Sequence, residues 1–115
     1  MTRTPQEVFT HHARALAAGD LDEILADYAD DAVVISPGGT LRGKEGIRTA
    51  FAQLLGDIPE ADWELITQIF EGDVLFLEWA AESTKTRVDD GIDTFVIRDG
   101  LIRAQTVRYT VHTKP

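Results

Sequence analysis

Residues 28–51, YADDAVVISPGGTLRGKEGIRTAF, leave this chain few folds to choose from. Tyr28-Ala-Asp-Asp31 closes an amphipathic segment, Ala32-Val-Val-Ile35 is a short β-branched run, and Pro37-Gly38-Gly39 stops it with turn chemistry. A further helix starts near Gly43, with Ile47, Phe51, Leu54 and Ile58 spaced so that one stripe faces a core. A strand is thereby pinned between helices.

The flanks extend the pattern. Thr4-Pro5-Gln6-Glu7 is a capping box with proline at the first helical position, and Gly19 ends that helix. Asp20-Leu-Asp-Glu23 caps a second helix whose buried stripe is Leu21, Ile24, Leu25 and Tyr28. Beyond Gly56-Asp57-Ile58-Pro59 the runs Trp63–Glu71, Val74–Thr84, Ile92–Arg98 and Leu101–Val111 read as strands. Asp99-Gly100 is a two-residue hairpin signal, and Asp89-Asp90-Gly91 reads as a separating turn. The order α-α-β-β-α-β-β-β-β predicts an α+β domain in which a curved antiparallel sheet is covered on one face by three helices. At 115 residues, one domain spanning 1–115 is expected.

Charge excludes whole classes of partner. Twenty acidic residues against eleven basic ones give a formal charge of −9, which repels phosphate backbones and anionic headgroups. Nucleic acid is therefore not expected, and no apolar run approaches the ~20 residues of a membrane span. The opening MTRTPQEVF has no apolar signal-peptide core, so a cytoplasmic location is the expectation. Without cysteine there are no disulfides, thiolate nucleophiles or thiolate zinc sites. No Asp, Glu and His spacing suggests a metal site and no glycine-rich loop follows a strand, so no metal or nucleotide cofactor is expected.

Two groups stand out chemically. His12 lies on the apolar face between Val8 and Leu16, either as a hydrogen-bonded core histidine or as a cavity-facing ligand or proton-transfer group. His11 is rotated from it by about 100° and reads as surface. Asp93 shares a strand face with Phe95 and Ile97, where burial would raise its pKa and leave it a hydrogen-bond donor or a near-neutral base. The other reading places it at the strand mouth or capping the adjacent turn. Alternation separates Glu78 and Glu82 from Trp79 without saying which face is inward.

The stretch GDLDEILADYADDAVVISPGGTLRGKEGIRTAF, with the later DTFVIRDGLI, resembles the nuclear-transport-factor-2-like superfamily. It is most similar to the branch of SnoaL-like polyketide cyclases and ketosteroid isomerases. The resemblance implies a sheet curled into a cone, helices closing one side, an apolar pocket between them, and homodimers through the outer sheet face. By position, the tyrosine of ketosteroid isomerase corresponds to His12, its carboxylate base to Ser36 and its protonated aspartic acid to Asp93. Serine cannot serve as a carboxylate, so steroid isomerisation by the usual base is not implied. Gln105 and Tyr109 fall toward the pocket by family register, with Tyr28 and Phe51 as further ligand-contacting candidates. The implied ligand is a small apolar molecule of polyketide or steroid type. The implied activity is isomerisation, cyclisation or dehydration by proton transfer, without a cofactor. The same fold also serves as a non-catalytic ligand-binding or dimerisation domain, or as a dimer whose interior is filled by Trp63, Trp79 and Phe95.

Overall fold

The computed structural model describes residues 2–115. Thr4 opens α1 (Pro5–Ala18): its hydroxyl accepts the Glu7 N–H at 3.1 Å while the Glu7 carboxylate accepts the Thr4 N–H at 2.8 Å. Gly19 ends α1 in the left-handed region at φ 65°. Asp20 caps α2 (Leu21–Ala26) by accepting the Glu23 N–H.

Tyr28 is not part of α2. Asp27 terminates that helix, and Tyr28 begins β1 (Tyr28–Ser36), where its backbone pairs with Ile102. An aromatic residue four positions after Ile24 satisfies a helical stripe and a strand start equally well, and sheet pairing decides between them. Next come β2 (Gly39–Arg42), α3 (Gly43–Asp57), β3 (Asp62–Glu71), β4 (Val74–Glu82), β5 (Thr86–Arg98), β6 (Leu101–Arg108) and β7 (His112–Thr113). The predicted order holds, with a short last strand added.

The sheet runs β2-β1-β6-β5-β4-β3, with β7 beside β5. It is mixed rather than wholly antiparallel, because β1 and β6 pair in parallel. These two strands are joined through everything between them, so the close hairpins that impose antiparallel pairing elsewhere do not act here. Asp99 and Gly100, at φ 53° and 76°, form the expected tight turn between β5 and β6.

The expected turn at Asp89-Asp90-Gly91 does not interrupt the sheet. β5 runs straight through it, and Gly91 lies opposite Trp79. A Cβ at Gly91 would come within 2.2 Å of the indole, so glycine here clears space for a neighbouring ring rather than making a turn. Asp90 instead accepts both the N–H and the hydroxyl of Thr110, at 2.8 and 2.7 Å. β6 accordingly stops at Arg108, short of the expected Val111, and after a break at residues 109–111 the chain continues along β5 as β7.

Helices cover one sheet face. Leu75, Leu77, Trp79 and Ala81 of β4 are buried, which assigns the Trp79 face inward and Glu78 outward. They join Val8, Ile24, Ile47, Phe51, Phe95 and Ile102 in one apolar cluster. No helix among the described residues is long and apolar enough to cross a membrane.

Candidate functional site

Between α1, α3 and the concave sheet face lies a cavity of about 240 Å³. Its walls are mainly Phe9, Leu16, Phe51, Leu54, Trp63 and Phe95, with His12, Asp93, Gln105 and Tyr109 as polar interruptions. Trp63 and Trp79 pack with ring centroids 5.4 Å apart and form wall rather than filling.

Strand alternation brings Asp93 here: its neighbours Thr94 and Ile92 face outward, whereas Asp93, Phe95 and Ile97 are buried on the inner face. Asp93 is 5% exposed. The Trp79 indole N–H donates to Oδ1 at 2.7 Å and the Gln105 amide N–H to Oδ2 at 2.7 Å. No cationic side chain among the described residues pairs with it. Burial therefore pushes the carboxyl up to about 6, against the two donors, which favour the ionised form.

Behind Gln105 stands Tyr28. Its hydroxyl donates to the Gln105 carbonyl, which fixes the amide so that its N–H points at Asp93. Tyr28 is 1% exposed and is not part of the cavity wall, so it positions Gln105 from behind. Burial raises the Tyr28 hydroxyl well above its ordinary value and keeps it a donor.

His12 projects from α1 into an aromatic nest, with ring centroids 5.5 Å from Phe51 and Phe95 and 5.8 Å from Tyr28. Burial lowers its pKa to about 4, so the ring is neutral. Its Nδ1 is buried with no hydrogen-bond partner among the described residues.

Of the residues singled out from sequence, the cavity gathers His12, Phe51, Asp93, Gln105 and Tyr109. Ser36 is exposed and belongs to a second, outer cavity of about 340 Å³, with Gln53, Asp57 and Val111. Ser36 is the last residue of β1 and lines only the outer cavity, whereas His12 lines only the inner one. From sequence Trp79 reads only as interior filling and not as a partner of Asp93, because its strand alternates without declaring a face; the glycine opposite it carries a signal, and that requires the register. His11 is not free surface: Nδ1 contacts the buried Asp27 carboxylate at 2.7 Å and Nε2 contacts Glu23 at 3.0 Å. Among the described residues no group of three or more His, Asp or Glu side chains could hold a metal ion.

The chain matches the SnoaL-like domain over residues 9–105. Among solved structures it is similar to SalBIII, an epoxide hydrolase/cyclase-like enzyme of pyran-ring formation in the polyether salinomycin. That match has TM-score 0.80 and 18% identity, covering 96% of this chain and 95% of the other. An NTF-2 like protein of unknown function from Burkholderia xenovorans LB400 matches with TM-score 0.79 and 20% identity, covering 96% and 86%. IdmH from Streptomyces antibioticus, a candidate polyketide cyclase, matches with TM-score 0.75 and 18% identity, covering 93% and 92%. No curated protein matches. At these identities the structures establish the shared fold, and the domain match, spanning most of the sequence, makes this chain a member of the SnoaL-like family.

Proposed function

We propose that the protein binds a small apolar carbonyl compound of polyketide type in the inner cavity and catalyses an isomerisation, cyclisation or dehydration by proton transfer. The observation that carries this reading is Asp93: a carboxylate in an apolar cavity, held by two neutral N–H donors and no cation. With its pKa at about 6 it is mostly ionised at neutral pH yet basic enough to take a proton. Asp93 removes a proton from the carbon next to a carbonyl, and the C–H electron pair becomes an enolate π bond. Neutral His12 donates a ring N–H to the carbonyl oxygen and stabilises the charge that develops there. Asp93 then returns the proton to another carbon; or the enolate carbon attacks a second carbonyl of the ligand, whose π pair becomes an alkoxide that takes the proton from Asp93; or the enolate pair expels a β-hydroxyl, which takes that proton and leaves as water. Of the two roles open to Asp93 from sequence, hydrogen-bond donor or near-neutral base, this reading takes the base, and it gives His12 the donor's part, because burial favours the neutral histidine and leaves the carboxyl titrating near pH 6.

The reading includes pairing of two copies through the outer sheet face. Ile69, Val74 and Ile92 are 58%, 41% and 37% exposed there, and no helix covers them. It also keeps the cytoplasmic location, consistent with a cysteine-free chain. Sedimentation at 12.7 kDa independent of concentration would remove the dimer from this reading.

The test uses 2-tetralone, an apolar bicyclic ketone of the cavity's size, in deuterated buffer at pH 7.5. Exchange of its α-protons is followed by NMR. Acceleration over buffer that disappears in Asp93→Asn and weakens in His12→Ala supports the mechanism. Binding of the ketone without acceleration by the wild type would reduce the protein to a binding domain.

A further inference from the structure

The two cavities share Val34, Ala50, Val107 and Tyr109 as common wall, so they adjoin along the same concave face. They differ in chemistry. The inner one is apolar apart from the groups already described. The outer one has Ser36, Gln53, Asp57 and Arg108 around it, and Tyr109 stands at the boundary donating its hydroxyl to Asp57 Oδ2 at 3.0 Å. Burial raises the Tyr109 hydroxyl, so it remains a donor and leaves the Asp57 carboxylate with acceptor capacity to spare.

Resting on the ligand-binding reading above, we infer that the two cavities form one elongated site, and that its ligand is a neutral amphiphile with an apolar body inside and a hydroxyl-bearing tail in the outer chamber. Size supports this assignment: at the packing density of a protein interior, the inner cavity takes about ten carbon atoms. A longer ligand must extend past Tyr109. Chemistry fixes the tail. Asp57 accepts hydrogen bonds, Ser36 and Gln53 both donate and accept, and a hydroxylated tail satisfies all three. Arg108 also lines the outer chamber and is the cation a carboxylate tail would find there, but Asp57 beside it and the chain's formal charge of −9 oppose that tail and favour the neutral one. Ser36, which matches a catalytic position by sequence, here becomes a tail-binding group.

Both tryptophans of the chain lie in the inner wall, so their fluorescence reports occupancy. The probes are 1-decanol, 1-O-decylglycerol and decanoate at pH 7.5, below micelle-forming concentrations. The expected order is decylglycerol at least tenfold tighter than decanol, and decanol tighter than decanoate. Gln53 is exposed on α3, so Gln53→Phe blocks the outer chamber without disturbing the core. It should abolish the glycerol advantage and leave decanol binding unchanged, whereas Asp57→Asn should narrow the gap between decanol and decanoate at least threefold. Equal affinity for decanol and decylglycerol, or a glycerol advantage that survives Gln53→Phe, overturns the elongated site while leaving the inner cavity's function standing. Failure of all three probes to bind overturns both.

Discussion

Two aspartates are buried among the described residues, and they are held in opposite ways. Asp27 is fully buried where α2 meets β1, with the Arg3 guanidinium at 2.9 Å on one oxygen and His11 at 2.7 Å on the other. The Arg3 side chain also donates to the Gly100 carbonyl, so the Asp27 cluster ties the N-terminus, α1, α2 and the β5–β6 turn together. Asp93 receives only the neutral donors Trp79 and Gln105 and opens on a cavity. A buried carboxylate with cations is spent on holding elements together. One with neutral donors keeps its proton affinity available for a ligand.

That contrast is sharpest in substitution. Asp93→Asn is expected to lower ketone exchange by about 100-fold, the scale of a lost general base, while shifting unfolding free energy by no more than about 1 kcal/mol. The Gln105 amide can rotate to match the new side chain, with Tyr28 as its accepting partner. Asp27→Asn should do the reverse, leaving exchange nearly intact and lowering stability by about 2 kcal/mol, as charge-assisted hydrogen bonds to Arg3 and His11 are lost. Chemical denaturation beside the exchange assay checks both. Equal effects of the two on activity would erase the distinction.

Next in size is Gly91→Ala. Its Cβ would meet the Trp79 ring at 2.2 Å, and overpacking of this kind costs about 2 kcal/mol while displacing the indole from Asp93. The pH midpoint of exchange should move along with the stability. An unchanged midpoint would separate Trp79 from the tuning of Asp93.

The pH dependence of folding offers a third comparison. Neutral His12, lowered from 6.5 to about 4 chiefly by burial, contributes stability that is complete above pH 6.5 and lost as pH falls toward 4. Asp93, raised from 3.8 to about 6 chiefly by burial, contributes stability that is complete below pH 3.8 and lost as pH rises toward 6. The two slopes oppose each other over the same window. In Asp93→Asn, stability should therefore fall on acidification from pH 6 to 4 more steeply than in wild type, by about 1 kcal/mol per pH unit. His12→Gln should tilt the curve the other way. Parallel curves for all three proteins would contradict the burial of these groups.

The smallest effect belongs to Glu23→Gln. His11 is raised first by its bond to Asp27 and only later by Glu23, which is exposed. Stability should change by a few tenths of a kcal/mol, measurable below pH 6.5, where His11 is charged in both folded and unfolded chains, and fading as pH rises through its raised value.

Local chemistry made much of the architecture legible. The Thr4–Glu7 box, Gly19, Asp20 and Asp99-Gly100 act within a few residues, and each works as read. The stripes of α1 and α3 placed His12 and Phe51 inward, and alternation along β5 placed Asp93 with Phe95. Other features depended on residues distant in sequence. Tyr28 became a strand residue through Ile102, Gly91 earned its place from Trp79, and Ser36 and His12 came to line different cavities. Asp27 was invisible as an anchor because Arg3 and His11 reach it from 24 and 16 positions away.

The sequence by itself determined the helices, their caps, the strand alternation and the family resemblance, since these arise from spacing and short-range hydrogen bonding. Only the tertiary structure decided that β1 lies parallel to β6, which face of β4 is inward, and which buried aspartate has cations around it. Those outcomes depend on sheet register and on partners many residues apart, and a one-residue change of register would have exchanged the cavity wall for the outer face.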